Sequence, residues 1–255
     1  MPYKFFNQLI PTGMEAYVIS LHENPPALKR LRDQGLAPNL FLAQRHASGG
    51  RIGCMDSHFK VYQMALRRNL SHVLIFEDDV MFTGRINFAA MHKALTIHDP
   101  DLYFLGTVGC FTIPSMRVWG TGHCFGYHQG AHAYVISRRF MQWVVSRLDR
   151  VHFDIPKFFK TFINTDNVSF TVLCRHAQSR MTQFPTVARQ ACDHVSTVQD
   201  KRSDVNVPVI CSAKSHLWYN FGQWVMFAPT DVTLIAIIYI TIITFRHRTQ
   251  RVPAP

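Results

Sequence analysis

Three consecutive acids, Glu77, Asp78 and Asp79, close the run S-H-V-L-I-F-E-D-D-V, Ser71 to Val80. The chain holds 16 aspartates and glutamates against 27 lysines and arginines, so three acids in a row are conspicuous. Adjacent carboxylates repel, and one is driven towards its neutral form unless a cation sits beside them. A hard divalent ion, Mn2+ or Mg2+, is such a cation, because it prefers oxygen ligands and leaves positions open for phosphate oxygens. The apolar run before the acids reads as a buried strand, and open α/β sheets bind their ligands at the carboxyl ends of strands. The acids therefore read as a strand-end site holding a metal against a diphosphate. Asp78 and Asp79 sit at that strand end. The alternative is a solvated turn without chemistry.

The surrounding elements must place these acids. A-Y-V-I-S-L, Ala16 to Leu21, reads as a buried strand. A Pro-Pro turn and a basic amphipathic stretch ending at Gly35 read as a helix with a glycine stop. Leu40 to Leu42 is a second short strand, and His46 to Gly53 a loop. Asp56 or Ser57 is then expected to cap a helix running to about Asn69. Val73 to Phe76 is the next strand, followed by a helix over Asn87 to Thr96 and a strand over Leu102 to Leu105. Gly106 to Gly130 is expected to be irregular, with Gly120 to Gly126 a mobile loop over the ligand site. Ala133 to Ile136 is a strand and Arg138 to Leu148 a helix. Strands alternating with helices predict an α/β fold. Cys124, His128 and His132 fall four apart, but the glycines beside them argue against the helix that a zinc site of that spacing requires.

G-R-I-G-C-M-D-S-H, Gly50 to His58, stands upstream of the helix that leads into V-L-I-F-E-D-D-V. This arrangement resembles glycosyltransferase family 25, whose members typically show G-E-I-G-C-x-x-S-H, a helix, and an apolar strand ending E-D-D. Gly50, Ile52, Gly53, Cys54, Ser57, His58 and all three acids match, while Arg51 stands where the family has glutamate. A-Y-V-I-S-L is similar to the family's opening strand, with Ser20 in place of a common asparagine. G-A-H-A-Y-V-I-S-R-R, F-D-I-P and F-P-T-V-A-R-Q, followed by Ser196, resemble its later segments. The likeness covers roughly residues 16 to 196.

The resemblance implies a GT-A fold, a Rossmann-like α/β sheet whose acidic motif binds a metal and a nucleotide sugar. It implies glycosyl transfer with inversion, usually from UDP-galactose, to a glycan, lipid-linked or protein acceptor. Ser20, Gly53, Ser57, His58, Asp78 and Gln190 are the donor-binding residues it suggests, and Asp78 and Asp79 the metal ligands for Mn2+ or Mg2+. Ser57 and His58, expected near a helix N-terminus, would donate towards phosphate or brace the carboxylates. Asp154, with Asp166 behind it, is the candidate base for the acceptor hydroxyl.

The net charge of +11 favours an anionic partner. Dispersed basic residues without a recognised motif speak against nucleic acid. Trp224 to Phe245 is apolar over the ~20 residues that a membrane span needs, while Pro229, Asp231 and its β-branched residues also suit a buried strand or helix of the globular part. Aromatic residues precede it and a basic tail follows. The expected organisation is a catalytic domain over 1–214, a transmembrane helix over 224–245 and a tail over 246–255. That would make the chain membrane-associated through a single C-terminal anchor. No signal peptide is evident at the N-terminus. A second reading is an inactive, membrane-tethered relative that binds partners, motivated by Arg51 and Ser20.

Overall fold

The computed structural model describes residues 10–11, 13–47, 50–106, 108–129, 132–149, 176–184 and 186–190. All of them belong to the first of the two units into which the chain divides, Met1–Ala213. Asp154, Asp166, the F-D-I-P segment, Ser196 and the apolar stretch Trp224 to Phe245 lie outside the described residues. Among the described residues no helix is long and apolar enough to cross a membrane.

The chain runs β1 (Met14–Ser20), α1 (Pro26–Asp33), β2 (Asn39–Leu42), α2 (Gly50–Arg67), β3 (His72–Glu77) and β4 (Val80–Phe82). It continues as α3 (Phe88–His98), β5 (Leu102–Phe104), β6 (Val108–Pro114), β7 (Thr121–Gln129), β8 (Ala133–Ser137), α4 (Arg138–Asp149), β9 (Arg180–Gln183) and β10 (Ala188–Gln190). Eight of these strands form one sheet in the order β2-β1-β3-β8-β5-β9-β7-β6, and β10 pairs with β4. The β1 strand is parallel to β2 and β3, as expected of βαβ units. The sheet is nevertheless mixed, because β8 enters antiparallel between β3 and β5.

The pleat sorts the apolar residues onto two faces. Tyr17, Ile19, Val73, Ile75, Phe104 and Tyr134 pack with residues of α2 and α4. Ala16, Val18, Leu74, Phe76, Tyr103 and Val135 pack with α1 and α3 on the other face. Val73 to Phe76 are fully buried, and burial of each such side chain stabilises by about 1.5–3 kcal/mol relative to exposure.

The helix ends carry their own stop signals. Gly35, at φ +85°, lets the Leu36 amide donate to the Leu31 carbonyl at 2.9 Å and closes α1. Asn69, at φ 58°, does the same for α2, where the Leu70 amide donates to the Ala65 carbonyl at 3.0 Å. The start of α2 differs from expectation. The helix takes in Gly50 to Gly53 instead of starting at Asp56 or Ser57. Those two residues serve inside it: Asp56 pairs with Lys60 one turn on, and the Ser57 hydroxyl donates back to the Gly53 carbonyl.

The expected irregular stretch after Gly106 is also different. It is an antiparallel hairpin, β6 against β7. Its glycines serve close approach: a Cβ on Gly122 would stand 2.4 Å from Thr112 Cγ2. Cys124, on β7, and His132, just before β8, therefore do not share a helix face.

Candidate functional site

The three acids occupy the turn from β3 into β4, with Asp78 and Asp79 between the strands. The parallel register sets Ile19 opposite Glu77. The next residue of β1, Ser20, thus stands beside the turn, and its hydroxyl donates to Asp78 Oδ2 at 2.7 Å. The Ser20 hydroxyl oxygen in turn accepts from the His22 amide at 2.9 Å, which fixes the Ser20 rotamer. A charge-assisted bond of this length orients the carboxylate. Ser20 is buried.

Glu77 turns towards α2. On that helix Cys54, His58 and Tyr62 recur four residues apart and share a face. The Glu77 Oε1 atom lies 3.6 Å from Cys54 Sγ and 3.4 Å from His58 Nε2. The other ring nitrogen, His58 Nδ1, bonds the Tyr134 hydroxyl at 2.8 Å, and Tyr134 in turn meets Tyr62. His58 is fully buried and stacks on Tyr134. Of the two uses expected for His58, its contacts are those of a brace behind the acids. Ser57 spends its hydroxyl proton on Gly53.

Electrostatics follow from this packing. Burial pushes the Glu77 carboxyl up, but the hydrogen bond and charge of His58 and the charge of His132 outweigh it and hold it below its ordinary value. Burial, then the neighbouring Glu77, pushes the Cys54 thiol well up. His132 is buried, which lowers its pKa. Its Nε2 faces the Ala188 carbonyl at 3.4 Å, and its Nδ1 has no hydrogen-bond partner among the described residues.

Strand β10 closes the other side. It pairs antiparallel with β4, placing Gln190 opposite Val80, directly after Asp79. Gly106 makes this possible, since a Cβ there would stand 1.9 Å from the Ala188 carbonyl oxygen. The structure therefore brings Ser20, Asp78, Asp79 and the backbone of Gln190 to one sheet edge. Gly53 lies one helix turn before Ser57, packed on His46. Asp154 and Asp166 fall outside the described residues. Sequence reasoning missed the places of Cys54, Tyr62, Tyr134 and His132 beside the acids. The four-residue spacing of Cys54, His58 and Tyr62 was the available signal for the first two. Tyr134 and His132 become neighbours only through strand pairing.

Among the described residues, two sets of side chains have the chemistry of cation ligands. Asp78 and Asp79 offer adjacent carboxylates, the hard oxygen donors that suit Mn2+ or Mg2+, and the Ser20 hydroxyl holds one of them in place. Cys54, His58 and Glu77 offer sulfur, nitrogen and oxygen atoms within 4.8 Å of one another.

Residues 36–159 match the sequence model of a family described as glycosyltransferase family 25 (LPS biosynthesis protein). The lacto-N-neotetraose biosynthesis glycosyltransferase LgtB of Neisseria meningitidis serogroup B is 28% identical over 158 residues, which cover 58% of this chain and 52% of that protein. LgtB of Neisseria gonorrhoeae is 26% identical over 191 residues, covering 69% of this chain and 62% of that one. The chain thus spans about half to three-fifths of these relatives' length. Among solved structures, the mannose-1-phosphate geranyltransferase of Thermus thermophilus aligns with a TM-score of 0.40 at 10% identity, over 70% of this chain and 76% of that one.

Proposed function

We propose, from the membership of this chain in glycosyltransferase family 25 through residues 36–159, that it transfers a hexosyl group from a nucleotide sugar to an oligosaccharide acceptor of the lipopolysaccharide type. UDP-galactose is the proposed donor, transfer proceeds with inversion, and the fold is of the GT-A kind. The observation that carries the reading is the Asp78–Asp79 turn at the carboxyl edge of the sheet, with Ser20 holding Asp78 at 2.7 Å.

In this reading Asp78 and Asp79 would hold Mn2+ or Mg2+, which would supply positive charge against the departing nucleoside diphosphate. Ser20 keeps the Asp78 carboxylate aimed. His58 and Glu77 anchor the turn to α2, so that the acids are positioned before the donor arrives. The end of β10, with Gln190, bounds the donor site opposite Val80. Asp154, backed by Asp166, is the proposed base that takes the proton of the acceptor hydroxyl as it attacks the anomeric carbon. The apolar stretch Trp224 to Phe245 is proposed to hold the enzyme at the membrane where such acceptors reside.

The test is release of UDP from UDP-galactose with Mn2+ present, with and without a lipooligosaccharide acceptor. Asp78→Asn/Asp79→Asn should lower turnover by about 100-fold or more, and should abolish thermal stabilisation by UDP plus Mn2+. Equal UDP release by wild type and double variant would overturn the reading. Stabilisation by UDP without turnover of any sugar donor would favour the inactive, partner-binding alternative.

A further inference from the structure

Cys54 and His58 stand four apart on α2, so one helix turn presents both side chains on the face that meets the end of β3. Glu77 ends that strand. We propose that Cys54, His58 and Glu77 form a binding site for a borderline-soft divalent cation of the zinc class. This site is separate from the hard-oxygen pair Asp78 and Asp79.

The spacing is the main argument. Direct hydrogen bonds in this region are short: 2.7 Å from Ser20 to Asp78 and 2.8 Å between His58 and Tyr134. A buried histidine paired with a carboxylate should be as short, about 2.7–2.9 Å. Glu77 Oε1 instead lies 3.4 Å from His58 Nε2, while its 3.6 Å to Cys54 Sγ suits a thiol contact and a shared ion alike. Zinc bonds of about 2.0–2.3 Å give tetrahedral ligand-to-ligand edges of roughly 3.3–3.7 Å. Both edges that Glu77 makes thus have lengths that ligands around a common ion would have, and the three donor atoms all lie within 4.8 Å of one another.

The chemistry of the set agrees. Thiolate, imidazole and a single carboxylate select zinc over Mn2+ or Mg2+. With Nε2 on the ion, His58 Nδ1–H donates to the Tyr134 hydroxyl, the outer contact that fixes a ligating imidazole. Three protein ligands leave a fourth position, and the Glu77 side chain keeps 20% of its surface exposed, so water can reach it. Binding releases the Cys54 thiol proton to solvent. The ion would tie α2 to the end of β3, whether or not the chain transfers sugar.

Full-length protein stripped with a chelator and titrated with Co2+ tests this. One equivalent should bind and give a near-ultraviolet thiolate-to-cobalt charge-transfer band, displaced by equimolar Zn2+ and not by Mn2+. Cys54→Ser should remove the band, and Tyr134→Phe should weaken binding about tenfold. Asp78→Asn/Asp79→Asn should leave the band unchanged while it abolishes UDP and Mn2+ effects, which separates this claim from the transfer reading. Absence of the band in wild type, its persistence in Cys54→Ser, or its loss in the double aspartate variant would each overturn the proposal. The wild-type titration decides even where Cys54→Ser fails to fold.

Discussion

Ser20 and Asp78 are 58 positions apart in the chain, and their side chains meet at 2.7 Å. Neither strand end alone could aim the carboxylate. Together they make a fixed bearing for whatever the acids hold. Ser20→Ala should remove a hydrogen bond to a charged group, a contribution of about 1.5–3 kcal/mol. We expect kcat/KM for the donor to fall tenfold or more and the Mn2+ requirement to rise. Ser20→Asn should recover most of the loss, because its amide can donate to the same oxygen. Steady-state kinetics across a Mn2+ series read both effects.

The Tyr62–Tyr134–His58–Glu77 chain crosses the core behind the turn. Removing one member leaves its neighbours buried without their partners, at about 1–3 kcal/mol each. His58→Ala should therefore cost stability of that order plus a cavity contribution. Tyr134→Phe should cost less than His58→Ala. Urea unfolding monitored by circular dichroism ranks them. Equal midpoints for wild type and His58→Ala would refute the bracing role.

The pH dependence has a definite sign. Burial holds His132 below its ordinary value of 6.5, so the folded state keeps it neutral. The unfolded chain binds the extra proton first, and stability is lost as pH falls below 6.5 through the lowered value. Glu77 is also held below its ordinary 4.5. Its contribution is present above that value and lost as the solution becomes more acidic. His132→Gln should flatten the slope between pH 7 and about 5 in thermal melts. An unchanged slope would refute the role of His132 and leave the other histidines held low by burial, His72 and His98.

Gly106→Ala should be among the most disruptive small substitutions. Its methyl would stand 1.9 Å from the Ala188 carbonyl oxygen, a backbone atom that cannot swing aside. Overpacking of this kind costs about 1–3 kcal/mol, and the displacement would fall on β10 and its pairing with β4. Donor affinity should drop more than global stability explains. Comparing UDP-induced thermal shifts with unfolding midpoints separates the two effects.

Much of this arrangement was legible from the residues. The apolar run before Glu77 had to be buried, and its pleat sends Glu77 to the face of α2 while Ser20 meets Asp78. The four-residue rhythm of Cys54, His58 and Tyr62 marked a helix face. The hairpin of β6 and β7 was not legible, because its glycines read as flexibility while they in fact permit close strand approach. The start of α2 was misplaced for a similar reason: Asp56 and Ser57 have the chemistry of caps, yet they pair inside the helix. The antiparallel entry of β8 depends on pairings far apart in sequence, which periodicity does not encode.

Strand β10 bears on timing. The acidic turn is emitted early during synthesis, yet Val80 to Phe82 find their partner strand only at residues 188–190. A growing chain carries the acids for more than a hundred residues before that edge is closed. The pairing that flanks the acids thus forms late, and a polypeptide broken off before Ala188 would lack the strand that lies against Val80 to Phe82.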